Sequence, residues 1–497
     1  MNRASERNET RLTWLDATIG WLSPRRALAR AFARSQLSSY RTFEAASKGR
    51  RTAGWKTSES SVNAETLASL PILRSRSRHL VQNNAYAARG VSGIVGNTIG
   101  PGIIPQALHP TMPKMASKAD ELWKKWGDTT LCDFDGQHDF YGLQALVLKT
   151  VVQAGECLVR RTRRNSKTPL PIPMQLQVLE PDFIDSSKEM KGKSGTVIVQ
   201  GIEFNAQGER VAYWLFPEHP GEASSTRLES VRVPAVDILH IYRVDRPGQV
   251  RGIPWFAPVI LNLRDLDEFE DAELTRRKIA SCFAGFIHDV EGADLASKAT
   301  QPLIDKIEPG TIEILPPGKN ITFASPQPVI GYAEYTSQIL HKIAVGLGVT
   351  YEVLTSDLKE TNYSSARMGY LEMHRNVVSW RTQILLPRLC NPVWGWFIEA
   401  ALVAGVNVAG CEAAWTAPKR DMIDPVKDIS AEKDAVRAGF KSRSEVVRSF
   451  GFDPEKVTAE VHADNRKADE LGLVFDTDAR KTTMNGQSQI EKNGDAK

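Results

Sequence analysis

The chain lacks the features that mark several classes of protein. Its 497 residues contain five cysteines, Cys132, Cys157, Cys282, Cys390 and Cys411, odd in number, widely spaced and without a Cys-x-x-Cys pair. That argues against a disulfide framework or a cysteine zinc site and fits a reducing compartment. Cys157 and Cys282 lie in apolar sequence and read as small core residues. No apolar run reaches the roughly 18 residues of a membrane span, so no membrane partner is expected. No histidine pair has metal-ligand spacing, and His341 and His374 stand alone on predicted helices. There is no Gly-x-Ser-x-Gly elbow and no nucleophile–base pair. Gly192-Lys193-Ser194 looks like the end of a phosphate-binding loop. However, Ser187 stands where that loop needs a glycine, and a strand follows instead of a helix. A turn is expected there, and any ATP hydrolysis would fall to another chain. No catalytic residue, metal or cofactor is expected.

What is present is a globular composition, 41% hydrophobic and 25% charged, in a chain long enough for two to four subdomains. The net charge of +4 is uneven. Residues 1–60 hold 12 Lys and Arg against 5 Asp and Glu, or +7, while the rest holds 51 against 54, or −3. The body is therefore not coated with phosphate-binding charge. The basic arm reads first as an amphipathic helix docking on a neighbour, with Leu12, Leu15, Ile19 and Leu22 at helical spacing. Contact with nucleic acid and an organellar transit peptide are the alternatives.

Along the chain, 44–70 reads as a linker and 71–100 as one helix, with Leu80, Ala87, Val91, Ile94 and Val95 forming its stripe and Gly100-Pro101-Gly102 stopping it. Ser117 is a cap candidate for a short helix carrying Leu122, Trp123 and Trp126. Asp139 or Tyr141 opens another helix, to about Val159. Met174, Leu176 and Val178 alternate as a strand, 196–204 and 210–216 form a hairpin, and Val236–Tyr242 adds a strand. A helix from Pro258 to about Phe283 would be about 38 Å long. Strands from about 310 to 323 follow, around a Pro-Pro-Gly-Lys-Asn turn. A second long helix spans about 332–346, with Tyr335, Ile339, Leu340, Ile343 and Leu347 on one face. A long helix from Ser365 to Ala404 is interrupted by Pro387 and Pro392. Residues 424–472 read as helical with breaks near Gly439 and Gly451, and the tail from Asp476 as disordered.

Two segments stand out. Residues 353–367, VLTSDLKETNYSSAR, carry the turn chemistry of a short exposed loop. Asp357, Asn362, Ser364 and Ser365 can each bond nearby amides, and Ser364 or Ser365 could cap the next helix. Asp265, Asp267, Glu268, Glu270, Asp271 and Glu273 crowd one predicted helix. Packed consecutively, their side chains radiate instead of converging, which weakens a two-metal nuclease reading. In a single molecule they are a solvated face. Around DNA they would form a mildly acidic wall that gives a duplex little reason to stop.

The loop, preceded by AVGLGVTYE, resembles the segment between stem and wing helix in the lambda-type family of tailed-phage portal proteins. Six further segments resemble that family in its order. They are 76–106 (RSRHLVQNNAYAARGVSGIVGNTIGPGIIPQ), 139–161 (DFYGLQALVLKTVVQAGECLVRR), 174–185 (MQLQVLEPDFID), 233–274 (beginning VPAVDILHIYRVDRPGQVRGIPW), 308–323 (EPGTIEILPPGKNITF) and 424–447 (DPVKDISAEKDAVRAGFKSRSEVV).

The resemblance implies an α+β, predominantly helical fold with portal-like wing, stem, clip and crown subdomains that forms a dodecameric ring at a unique capsid vertex. The ring would pass double-stranded DNA during packaging and ejection. The partners implied are the terminase large subunit, head-completion or connector proteins, the major capsid protein and further copies of the chain. The location would be the virion, with the host cytoplasm during assembly. Mapped here, 1–60 is a basic arm, 61–255 the wing, 256–283 and 332–350 the stem helices and 284–331 the clip. The tunnel loop is 351–364, the long wing helix and its connection 365–423, the crown 424–472 and the disordered tail 473–497. The DNA-channel candidates are Asp267, Glu268, Glu270, Asp271, Lys359 and Asn362. Lys359 is the loop's only base; pairing with Asp357 or Glu360 is the competing role for it. The alternatives from other classes are a metal-dependent DNA-processing enzyme using 265–273 and a capsid shell or scaffold protein.

Overall fold

The computed structural model describes residues 57–482 and four isolated positions before them, apart from 165–168, 193–194, 223–228, 282–284, 290–318, 324–330, 360, 420–423 and 479. The chain divides into two compact units, Met1–Ser61 and Val62–Lys497. In the first, the Ser60 amide donates to the Ser58 hydroxyl at 3.2 Å. The expected arm helix at Leu12–Leu22, Cys282, the 310–316 strand and most of the tail lie outside the described residues.

The second unit is α+β and mainly helical. It opens with α1 (Val62–Asn83) and α2 (Ala85–Thr98), two helices where the sequence reads as one beginning after residue 70. A proline at position 71 would suggest a boundary there. Instead it sits exposed inside α1, and Val62, Thr66 and Leu70 are buried ahead of it. Asn84 makes the division: its side chain accepts from the Ala87 amide and starts a new helix. Strand β1 (Ile104–Leu108) and α3 (Pro113–Trp126) follow. Ser117 does not cap α3; it lies within it, donating back to the Pro113 carbonyl, and proline starts the helix. Asp139 caps α4 (Phe140–Ala154), which ends earlier than Val159 because Gly155 takes φ +92°. A Cβ there would lie 2.5 Å from the Ile253 carbonyl carbon, so only glycine fits.

Residues beyond it form β2 (Glu156–Arg163), whose first four residues are buried on both faces. That removes the alternation that would have marked a strand. β2 is the centre of an antiparallel sheet between β3 (Met174–Leu179) and, further along, β9 (Ile238–Tyr242). A second sheet is a meander of β4 (Met190–Lys191), β5 (Val197–Val199), β6 (Ile202–Phe204), β7 (Arg210–Leu215) and β8 (Val231–Pro234). The expected strand 196–204 is two strands, reversed at Gln200 (φ +48°) and Gly201. Gly192 sits in the β4–β5 turn, its amide bonded to the Thr196 carbonyl, as expected for a turn and not a phosphate loop.

The long helix α5 (Ile260–Ser281) is about 33 Å by its 22 residues. It leads to β10 (Gly285–Asp289), which pairs with β11 (Lys319–Phe323). Next come α6 (Tyr332–Leu347), the short α7 (Tyr351–Thr355) and α8 (Tyr363–Trp380). From Arg381 to Cys390 the helix widens to π geometry around Pro387, then returns to α as α9 (Asn391–Val403) with Pro392 in its first turn. Strand β12 (Glu412–Thr416) pairs with β1. The last helices are α10 (Pro425–Arg437), α11 (Arg443–Ser449) and α12 (Pro454–Glu470), broken where expected. The described start of the tail is not loose: Arg480 and Lys481 both pair with Asp469 of α12.

One large core joins α2, α4, β2, α5, α6, α8 and α9; a smaller one lies under the meander, around Leu158, Ile202, Tyr213 and Val233. Cys132, Cys157, Cys390 and Cys411 are buried and unpaired by disulfides, and burial pushes the Cys157 thiol far up. Between the two cores sits a fully buried carboxylate. Glu156 of β2 accepts from Arg74 of α1, from Arg251 at 2.7 Å and from the Gly252 amide at 2.7 Å. It also lies 2.8 Å from Nε2 of His240 on β9. Burial alone would raise its pKa, but Arg251, Arg74 and His240 hold it well below the usual carboxylate range. Burial drives His240 down to about 4. Among the described residues its Nδ1 is buried without a partner, as suits a neutral ring donating through Nε2.

Glu156→Gln should lower unfolding stability by about 3–5 kcal/mol in denaturant titrations, because two buried guanidinium groups lose their anion. Acid should act on the same cluster. Between pH 6.5 and about 4 the unfolded chain takes up a proton at His240 that the folded protein refuses, so stability falls as pH falls. Glu156 adds the same sign at lower pH, since its unfolded carboxyl protonates first. Thermal midpoints measured from pH 7 to 4 should therefore decline, and less steeply for His240→Gln.

Candidate functional site

The acidic helix α5 and its partner α6 run antiparallel. Phe269 stacks on Tyr332 at 5.6 Å, and Arg277 lies over the same ring, so the start of α6 meets the second half of α5. At the other end a Cβ on Gly346 would lie 2.3 Å from Val259 Cγ1, just before α5. Leu263 and Leu266 of α5 and Leu340, Ile343 and Leu347 of α6 are buried in the large core, with Ile339 partly buried against it, as the apolar spacing of α6 predicts; Tyr335, expected on the same face, is instead exposed and meets Phe269 edge-on.

This packing sorts the carboxylates. Asp267 is half-buried and accepts from the Asn84 side-chain amide at 2.6 Å. Glu270, also half-buried, has its pKa raised by burial and by the neighbouring charges of Asp267 and Asp271. Burial and then Glu270 raise the Tyr86 phenol of α2. Glu273 is covered by its own helix: Arg276 at 2.6 Å and Arg277 at 2.9 Å hold its carboxyl down to about 2. Glu268, paired with Arg264 at 2.7 Å, is exposed, as are Asp265 and Asp271. The acids thus point several ways around the helix. Among the described residues, the group of three metal-capable side chains that does converge is elsewhere, at Glu180, Asp182 and His219. There Arg78 already pairs with both carboxylates, and the His219 Nδ1 accepts the Gly221 amide. A neutral ring so bonded carries its proton on Nε2, the atom a metal would need.

The irregular segment is shorter than 353–367. Thr350 caps α7, Leu354 is buried, and Arg89 of α2 donates to the Val353 carbonyl at 3.0 Å. The free stretch begins at Ser356 (φ +59°) and ends at Asn362. Asp357 accepts the Lys359 backbone amide at 3.1 Å, and Glu360 is outside the described residues. Leu358 and Lys359 are exposed. The cap of α8 is Asn362, not Ser364; Ser365 is its reciprocal partner, so the two form a capping box. Asn362 therefore has a structural duty, exposed as it is. Arg367 of α8 reaches Asp428 of α10 at 3.6 Å, a link no local pattern signals. Asp265, absent from the candidate residues, shares the exposed face with Glu268. A helical wheel drawn from Leu263 and Leu266 could have found it.

Comparison with known proteins gives one consistent result. The family described as phage portal protein, lambda family, matches residues 48–381, well over half of the chain. The chain is 27% identical over 474 residues to the probable portal protein of Halomonas phage phiHAP-1, covering 89% of each. It is 21% identical to the portal protein of Escherichia phage N15 and 21% identical to portal protein B of Escherichia phage lambda, covering 86% of this chain and 89% of the relative in both cases. Among solved structures it is similar to a chain from the virion of a native gene transfer agent particle. That match has a TM-score of 0.46 and 17% identity, covering 77% of this chain and 94% of the other.

Replacing Gly346 with Ala should loosen the helix pair despite alanine's better helix propensity of about 1 kcal/mol. The methyl meets a stiff valine, and overpacking costs about 1–3 kcal/mol. Chemical denaturation should show the loss, and Val259→Ala in the same chain should recover part of it.

Proposed function

This chain belongs to the lambda family of phage portal proteins, and we propose that its copies close into a ring, dodecameric as the family resemblance implies, around a channel for double-stranded DNA. It is a portal protein of a phage or phage-like particle, with a structural role. In the proposed assembly α5 and α6 are the stem, and β10 and β11 belong to the clip that meets the terminase large subunit and then connector proteins. Residues 356–361 form the tunnel loop, with Lys359 as its phosphate contact. The elements before α5 together with α8 form the wing, and α10 to α12 the crown. The major capsid protein surrounds the ring in the virion, and assembly proceeds in the host cytoplasm.

The observation that carries this reading is the outer face of the helix pair. Asp265, Glu268 and Asp271 face solvent there, while Leu261 and Val345 are 64% and 80% exposed. Carboxylates on the same exposed face suit a wall that phosphates slide past and do not grip. Asp267 and Glu270, engaged with Asn84 and close to Tyr86, are the less suited of the candidates to line that wall.

Purified protein should form rings with a central hole in negative-stain micrographs; solitary molecules across salt and concentration would defeat the proposal. The double substitution Glu268→Lys with Asp271→Lys should keep the rings and slow DNA packaging severalfold, because two added cations per copy attract passing phosphates. Packaging at the unsubstituted rate would place these residues off the channel.

A further inference from the structure

Behind α8 lies a cavity of about 400 Å³, the size of small-molecule clefts. It is bordered by the carboxyl end of α2, by α8 and the π segment, and by the chain after β12. Asn97, Tyr370, His374, Arg381 and Lys419 line it, and no carboxylate does among the described residues. Arg381 is only 9% exposed. Its Nε donates to the Thr98 carbonyl at 2.7 Å and its Nη2 to the Asn97 carbonyl at 2.8 Å, the final carbonyls of α2. A guanidinium has five N–H groups, so these two bonds leave donors over at the cavity wall. Burial with no acid beside it pulls Arg381 down to about 10.

A guanidinium in this position is unusual, since buried charges are normally paired. The α2 carbonyls and the negative end of the helix dipole compensate only in part. An adjoining cavity of about 460 Å³ shares Arg381 and His374 and adds Arg367, Lys441 and Arg448 against two acids, Asp428 and Glu432. Those acids are already taken by Arg367 at 3.6 Å and Lys441 at 2.8 Å. The whole cleft between α8 and the last helices is therefore positive.

We propose that the cavity is an anion site for a phosphate group, held by Arg381 and Lys419. Arginine supplies directional donors, and lysine at the mouth supplies charge. The phosphate comes either as a free small anion or from a nucleic-acid backbone. The site does not rest on the channel reading.

The test titrates the full-length protein with sodium phosphate, following thermal midpoint and heat of binding, against sodium chloride at equal ionic strength. Phosphate should raise the midpoint in a saturable way and chloride should not. Lys419, whose side chain makes no hydrogen bond among the described residues, offers the cleaner variant: Lys419→Gln should shift the half-saturating concentration at least about tenfold. Arg381→Lys should weaken binding too, but it also disturbs the end of α2, so Lys419→Gln carries the decision. Equal effects of phosphate and chloride, or an unchanged curve for Lys419→Gln, would overturn the site. With binding established, a short DNA duplex that displaces phosphate assigns the backbone as the source. A duplex that leaves phosphate bound assigns the free anion.

Discussion

One buried carboxylate ties the larger unit together. Glu156 opens the central strand β2 and gathers a guanidinium from α1, another from the chain after β9, an imidazole from β9 and a backbone amide. Arg251 extends the hub, donating to the Ser186 hydroxyl at 2.8 Å and to the Gln200 carbonyl at 3.2 Å. Helix layer, central sheet and meander are thereby fixed around a carboxylate and a guanidinium that are fully buried. Pairing such charges adds little to net stability, because each was costly to desolvate. What it adds is uniqueness: any rearrangement that separates one partner strands a charge in the interior.

From that anchored body the helix pair projects with a definite rotation. Val259, Leu263 and Leu266 turn one side of α5 into the core, and the antiparallel contacts at Gly346 and Tyr332 hold it there. The rotation assigns each acid its work. Asp267 receives Asn84, the residue that also starts α2, so a single amide joins helix capping to the setting of α5. Glu273 is neutralised within its own helix, and Glu268 and Asp271 face outward. The loop after α7 is rooted the same way, since α7 leans on α2 through Arg89 and Gly93. An exposed loop can be short and still well placed when both its ends are capped.

The long helix beyond the loop shows how prolines are accommodated. Pro387 lies in a π-helical stretch and Pro392 in the first turn of α9, so the chain continues through both. Arg381, where the widening begins, bonds the end of α2, and a positively lined cavity opens beside it.

Read alone, the sequence determined the element types with strong period or strong punctuation. The helices α3, α5, α6 and α10 to α12, the alternating strand β3 and the breaks near Gly439 and Gly451 all follow from local chemistry. It also determined the family, through the order of many weak segments and not through any single motif. Tertiary structure decided what local pattern cannot encode. The run after Gly155 is a strand because it pairs on both sides in the central sheet, and burial of both its faces hid the alternation that marks one. Pro71 stayed inside a helix because burial on α1 outweighs one lost hydrogen bond. Above all, six acids in ten residues are equivalent in a string of letters. Only the packing of α5 against α6 and the Asn84 amide distinguish a carboxylate that holds the fold from one that faces outward, because exposure is a property of neighbours distant in sequence.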